Sequence, residues 1–340
     1  MTSKDTEYNN ASIAQFKGKY YVTYISDVSG NPEVYLSTST NMEKWSSPKP
    51  VSGINNPLAD QLISGNSNLY LLAMTKSGYS ILEMNASGTW SSYYSSSILY
   101  TYVSGADMNG NLYILSGDLQ NNGTYNYTVT EISGGKISAT TKLPFNSLSA
   151  GSITAFSGYL AVAYYSGQAS NETIYVKVLS PGGMKVDATV TKYGMTNLTG
   201  PVAIASNPDG NIFIAFTSNV SGQYTISLTN TSAFKDPVFN HITTTLVSAS
   251  GVNNDPSIYL SNTGGQNYTV IMAWHSTTPF QNMVWAMNTT YSFQQVPVHL
   301  PTSSTSVLLY IIIGVVIAAV VIGVVSALYV SRKKKSGKVQ

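Results

Sequence analysis

The sequence predicts an all-β protein: a six-bladed β-propeller of four-stranded antiparallel blades, followed by one C-terminal transmembrane α-helix. Three observations carry that expectation. A pattern of four short strands recurs six times along the chain. The composition is poor in charge and rich in Tyr, Val and Ile, the residues that fit a pleated, half-buried surface. A 24-residue run without a charge, Val307 to Val330, is followed directly by a basic tail.

The first unit is Ser12–Val51. It reads as SIAQF, KYYVTYI, EVYLSTS and a fourth strand beginning near Trp45. Turn residues separate them: Lys17-Gly18-Lys19, Ser29-Gly30-Asn31-Pro32 and Asn41-Met42-Glu43-Lys44. One such meander cannot cover both its faces, so it needs neighbours of its own kind.

Those neighbours are present. The apolar second strand recurs as NLYLLAM from Asn68, NLYILSG from Asn111, YLAVAYYS from Tyr159, NIFIAFTS from Asn211 and NYTVIMAW from Asn267. Each is preceded by a short strand: ADQLI, YVSGAD, SITAF, VAIAS and SIYLS. The turn after the third strand falls at Asn41, Asn85, Gly134, Gly182, Asn230 and Asn288, spaced by 44, 49, 48, 48 and 58 residues. An aromatic follows that turn in four units, as Trp45, Trp90, Phe234 and Phe293. Six such units close a ring in which each blade covers its neighbour and few strand edges stay free. The expected propeller spans 8–301, with a linker at 302–306.

About 20 apolar residues cross a hydrocarbon core roughly 30 Å thick, so 307–330 suffices. Tyr310 and Tyr329 sit near its ends, and Arg332, Lys333, Lys334 and Lys335 follow. By the positive-inside rule the tail 331–340 is cytoplasmic and the N-terminal domain is extracellular. The lipid bilayer is then one partner. The first residues, MTSKDTEYNN, have no apolar secretory core, so export calls for a signal upstream of Met1; the alternatives are a fragment of a longer chain and a tail-anchored protein facing the cytoplasm. N-x-S/T sequons at Asn10, Asn85, Asn122, Asn126, Asn171, Asn197, Asn219, Asn230, Asn267 and Asn288 are glycosylation candidates on a domain outside the cell.

Charged residues make up only 9% of the chain, against about 25% in an average soluble domain. Up to Ser306 there are 12 Lys, no Arg and 15 carboxylates, a net −3. No basic stripe exists there, which excludes nucleic acid as a partner. The chain has no Cys, so it has no disulfide, thiolate metal site or thiol nucleophile. The low-charge, Cys-free, hydroxyl- and amide-rich style resembles archaeal envelope proteins.

Two turns resemble known propeller motifs. Ser39-Thr40-Asn41-Met42-Glu43-Lys44-Trp45 resembles the S-x-D-L-x-x-W turn of five-bladed furanosidases, with Asn for Asp and Met for Leu. Asn85-Ala86-Ser87-Gly88-Thr89-Trp90 resembles an Asp-box, D-x-G-x-T-W, with Asn for Asp and the Gly one place late. Together with the repeat over 11–300, the chain resembles the sialidase-like (BNR or Asp-box repeat) six-bladed propellers. In that family both motifs are structural turns. The resemblance also implies three Arg that clamp a substrate carboxylate through bidentate forks. No Arg precedes Arg332, so sialidase activity is not expected.

Among the acids, Asp60, Asp107 and Asp255 stand near the ends of innermost strands, in LADQL, SGADM and NNDPSI. Convergent in one pocket they would suit a two-carboxylate glycosidase. Singly, each reads as a turn carboxylate bonded to backbone N–H groups. His275, beside Trp274 on a central strand, is a further ligand candidate. No catalytic residue is assigned. No metal or cofactor is expected either; calcium on such acids would lack the D-x-D-x-D-G loop. The reading is a non-enzymatic, membrane-anchored, cell-surface domain that binds a glycan or a surface protein. The alternatives are a membrane-anchored glycoside hydrolase and an accessory subunit of a membrane or secretion complex.

Overall fold

Twenty-four strands make six four-stranded antiparallel sheets in the computed structural model. The structure describes residues 2–292 apart from 4–7, 28–29, 86, 181, 183, 233–243, 248–251, 265–266 and 279–280. The end of the expected propeller, the linker 302–306, the helix 307–330, the tail 331–340, Phe234 and Phe293 lie outside the described residues. So do the side chains of Asn10 and Asn267. Among the described residues no helix is long and apolar enough to cross a membrane.

The first strand, β1 (Thr2–Ser3), belongs to the last blade. Blade 1 is β2 (Tyr8–Phe16), β3 (Lys19–Ser26), β4 (Glu33–Ser39) and β5 (Lys49–Pro50). Blade 2 is β6 (Pro57–Ser64), β7 (Leu69–Thr75), β8 (Gly78–Met84) and β9 (Trp90–Ser96). Blade 3 is β10 (Tyr102–Met108), β11 (Asn111–Leu119), β12 (Tyr125–Ser133) and β13 (Lys136–Ser147). Blade 4 is β14 (Ser152–Phe156), β15 (Tyr159–Gln168), β16 (Asn171–Ser180) and β17 (Lys185–Met195). Blade 5 is β18 (Leu198–Ser206), β19 (Asn211–Val220), β20 (Gln223–Ser232) and β21 (Thr244–Val247). Blade 6 is β22 (Val252–Gly264), β23 (Asn267–Thr278), β24 (Gln281–Ser292) and then β1, with Thr2 opposite Met283 and Ser3 opposite Asn282.

The six blades, their four-stranded make-up and the first three strands of each fall where the repeat placed them, except that Asn230 and Asn288, expected in turns, are paired inside β20 and β24. Closure does not follow the repeat. The fourth strand of the last blade comes from the opposite end of the chain, ahead of residue 8, and tethers blade 6 to the strand before blade 1. In blade 1 the fourth strand starts at Lys49 rather than near Trp45, because Trp45 is held in the preceding turn.

Burial explains the second strands. A middle strand has a blade on each face, so it reads as an apolar run and not as an alternation. In β7, Leu69, Leu71 and Ala73 pack toward blade 1, while Tyr70 and Leu72 pack toward blade 3. Six apolar clusters fill the six blade-to-blade seams, the last joining Ala11, Ile13, Val22 and Tyr24 to Ile271, Ala273 and Val284 across the closure.

The two motif turns are built by their asparagines. Asn41 Oδ1 accepts from the N–H groups of Glu43 and Lys44 at 3.0 and 3.1 Å, and Trp45 Nε1 donates to the Met42 carbonyl at 3.0 Å. Asn85 Oδ1 accepts from the N–H groups of Ser87 and Thr89 at 3.0 and 2.9 Å, while Trp90 packs on the blade 1–blade 2 core. A neutral amide oxygen thus does the acceptor work that the Asp of the related motifs would do.

Candidate functional site

The innermost strands begin on one rim and end on the other, and each rim opens into a cavity. The entry rim also carries the second-to-third strand hairpins and the links from one blade to the next. The exit rim carries the first-to-second and third-to-fourth turns.

Side chains stitch neighbouring inner strands together between the two cavities. Ser12 Oγ accepts from Leu62 N–H at 2.8 Å. Gln61 reaches into blade 3, donating to the Gly105 carbonyl at 3.1 Å and accepting from its N–H at 2.8 Å. Ser104 Oγ accepts from Ile153 N–H at 3.3 Å, and Ser152 Oγ donates to the Val202 carbonyl. Ser257 Oγ accepts from Ile13 N–H at 3.2 Å. These links satisfy inner-strand backbone groups that have no strand partner on the channel side.

The entry funnel is small, about 70 Å³, and all six blades line it. Its polar lining includes Ser12, Asp60, Gln61, Tyr102, Ser152 and Asp255, and no Lys, Arg or His. Register breaks occur in the inner strands at this end: between Asn9 and Ala11, Pro57 and Ala59, Thr199 and Ala203, and Asn254 and Ser257. Bulges gather where a strand must re-aim a side chain. The last of them carries Asp255, which adopts φ 50 before Pro256. Left-handed backbone is uncommon outside glycine, and Asp and Asn tolerate it best. Gly200 gives the Asp255 carboxylate room, since a Cβ there would stand 3.3 Å from Oδ1.

Asp60 lies deeper, 8% exposed, facing blade 1, where its Oδ2 accepts from the Thr23 hydroxyl. Its Oδ1 has no partner among the described residues. Burial pushes this carboxyl up to about 7, against the smaller opposing effect of the Thr23 bond. Burial raises the Asp255 carboxyl as well, and no hydrogen bond to it occurs among the described residues. Tyr102, at the head of β10, sits 3.4 Å from Ser152 Oγ. Its phenol is pushed up to about 12, by burial first and then by the Asp255 charge, which outweigh the Ser152 bond. That is the reverse of what an activated nucleophile needs.

Asp107 faces the other way. It lines the exit cavity, about 410 Å³, with Asn66, Asn109, Thr154, Ser206 and Tyr259 among its neighbours. Its carboxyl is raised by burial and held partly down by the backbone N–H of Gly110, as in a strand-end turn. A Cβ at Gly65 would fall 2.7 Å from its carboxyl carbon, so a side chain there would make the Asp107 carboxylate move. Two of the three sequence-flagged acids therefore share a funnel and the third sits at the opposite mouth. His275 lines neither cavity. It is buried in β23 opposite Asn254, and burial lowers its pKa. Among the described residues no three His, Cys, Asp or Glu side chains gather as a metal site would require.

Asn85, Asn122, Asn171, Asn197 and Asn288 are exposed, and Asn126, Asn219 and Asn230 are partly buried. Sequence reasoning passed over Thr23 and Tyr102. Thr23 carried a signal, as the one aliphatic hydroxyl in KYYVTYI.

No protein-family model matches the sequence, and none of the curated proteins matches it. Solved structures do. The subtype N11 neuraminidase-like protein of A/flat-faced bat/Peru superposes with a TM-score of 0.55 at 11% identity, over 86% of this chain and 91% of that one. A subtype N10 neuraminidase-like protein of A/little yellow-shouldered bat/Guatemala superposes with a TM-score of 0.51 at 9% identity, over 85% of this chain and 100% of that one. The likeness is one of fold. It agrees with the six-bladed, sialidase-like ring read from the repeats, and it says nothing of chemistry.

Proposed function

We propose that this chain is a membrane-anchored, cell-surface propeller that binds a partner protein through its entry rim and performs no chemistry there. One observation carries the choice of rim and of partner class. Among the described residues seven large apolar side chains are exposed, and six lie at the entry rim: Leu58, Ile98, Leu99, Leu119, Leu148 and Tyr193. They come from three consecutive blades, 2, 3 and 4. Exposed apolar side chains scattered singly mean little, but a run of them on one rim marks an interaction surface. The seventh, Ile137, stands at the start of β13 on the exit rim.

The funnel supports a binding role over a hydrolytic one. At about 70 Å³ it is far below the roughly 300 Å³ at which small-molecule pockets begin. Its Tyr is deactivated and its acids are driven toward the neutral form. The anchor rests on the sequence of 307–330 and the tail after it, and the placement outside on the positive-inside rule with the exposed sequons.

The chain has no Cys, so single-cysteine reporters test this directly. Leu99→Cys and Ile137→Cys variants of the full chain are treated on intact cells, in parallel samples, with a membrane-impermeant maleimide and with a photoreactive one. Both sites should label from outside, and protein adducts should form from position 99 and not from 137. Equal adduct yields would sink the rim assignment, and failure of both sites to label on intact cells would sink the surface placement.

A further inference from the structure

The entry funnel has a chemical bias that the apolar rim around it lacks. Its only ionisable carboxyls, Asp60 and Asp255, come from blades 2 and 6, and no cation is among the residues that line it. Buried polar groups are nearly always partnered. Here Asp60 is more than nine-tenths buried with Oδ1 unmatched, and no hydrogen bond to the Asp255 carboxylate occurs among the described residues. The backbone at Asp255 is bulged and left-handed, with glycine opposite, which holds the carboxylate at this mouth. Strain of that kind collects at ligand-binding positions.

From this geometry we infer that the funnel receives one primary ammonium group, the end of a lysine side chain on the docked partner protein, with Asp255 meeting it at the mouth and Asp60 beneath. The inference rests on the entry rim being the docking face. A lysine suits the site better than an arginine for two reasons. The space is narrow, about 70 Å³, which admits a slim methylene chain ending in a point charge. A guanidinium gains most from a carboxylate with both oxygens free, and Asp60 Oδ2 is already taken by Thr23. Tyr102 and Ser152 add hydroxyl acceptors on the wall. The burial that raises both carboxyls is the same burial that a bound cation would offset.

The probe is n-butylammonium, a lysine side chain without its backbone, titrated into the full chain at constant ionic strength and read by saturation-transfer NMR. Binding is expected with a Kd on the order of 1–10 mM, the range of a single ion contact. The isosteric neutral 1-butanol should give no transfer, and n-butylguanidinium should bind more weakly than the amine. Asp255→Asn should abolish the signal, and Asp60→Asn should weaken it. An asparagine keeps the acceptor for Thr23 at position 60 and tolerates the left-handed backbone at 255, so both variants should fold. No transfer in the parent chain, transfer unchanged in both variants, or equal binding of the guanidinium would each overturn the inference. Leu99→Ser separates the two claims. It should leave n-butylammonium binding intact while lowering the adduct yield from a crosslinker at neighbouring Ile98→Cys. Amine binding lost with adducts retained would overturn the lysine site alone, and adducts unaffected by Leu99→Ser would overturn the docking face.

Discussion

Asp60 predicts a dependence of stability on pH that a single substitution removes. Its carboxyl sits near 7 in the folded chain and near 3.9 in an unfolded one. The folded state therefore binds the proton more tightly, and between those two values it holds more protons than the unfolded state. Stability from this group is fully present below about pH 4 and is lost as pH rises through about 7. Each pH unit in that window costs about 1.4 kcal/mol, and the loss levels off above it. From pH 5 to pH 8 the contribution amounts to about 2.5 kcal/mol. Asp60→Asn keeps the shape and the acceptor for Thr23 but cannot ionise. Urea unfolding of the full chain, followed by Trp fluorescence at pH 5, 6, 7 and 8, gives the slope for each protein. Asp255, Asp107 and Glu172, raised by burial, and His275, lowered by it, add their own slopes equally to both. The difference between parent and variant thus isolates Asp60. An amide N–H left without a partner in the variant shifts its stability by a constant and leaves that difference in slope untouched. Parallel pH profiles would refute the reasoning, since they would mean the Asp60 carboxyl titrates alike in both states.

Three further outcomes follow from the backbone architecture. Asn41→Ala removes an oxygen that accepts two backbone N–H groups and should cost about 1–2 kcal/mol in thermal unfolding, with Asn41→Asp restoring it. Gln61→Ala leaves both backbone groups of Gly105 unmatched and should cost roughly 2–4 kcal/mol in a urea midpoint measurement, while Gln61→Glu should recover little, having no N–H for the Gly105 carbonyl. Removal of residues 1–7 deletes β1 and should speed hydrogen exchange at Asn282 and Met283 in β24, while blade 3 amides keep their protection.

Most of the ring was legible in the sequence because its signal is periodic. Strands such as NLYLLAM and NIFIAFTS are apolar on both faces for the same reason in every blade, and the turn after the third strand carries its asparagine or glycine in blades 1 to 4, whereas Asn230 and Asn288 lie within β20 and β24, opposite Phe213 and Ile271. The closure was not legible. Thr2–Ser3 is two residues long and pairs with Met283 and Asn282 about 280 positions away, and no local pattern encodes such a pairing. The site was half legible. Position along the inner strand flagged Asp60, Asp107 and Asp255, but whether a strand residue faces the entry or the exit rim depends on where its strand bulges. Asp107 has no bulge before it and lies near the end of β10, whereas Asp60 and Asp255 follow or occupy one near the start of their strands. The apolar rim had a visible trace in Ile98-Leu99, an apolar pair set inside a serine- and tyrosine-rich run where no strand needed it.

The absent arginines and the unmatched carboxylates are two sides of one arrangement. A ring that grips a carboxylate needs fixed cations in its funnel, and each buried cation would in turn need acids or carbonyls around it. This chain has no Arg before residue 332, and its funnel carries two carboxyls that nothing within the described ring neutralises. Such a funnel repels anions and gains free energy only from a group that brings positive charge or a proton. At acidic pH the proton serves, since burial already holds Asp60 near 7. Near neutrality an ammonium can replace it, and the exchange releases the proton. If a lysine occupies the funnel, its binding should therefore strengthen as pH rises from 5 to 8, by up to about tenfold per unit while Asp60 is still protonated. Binding of n-butylammonium that weakens over the same range would show that the carboxyls, although present, are not what the ligand meets.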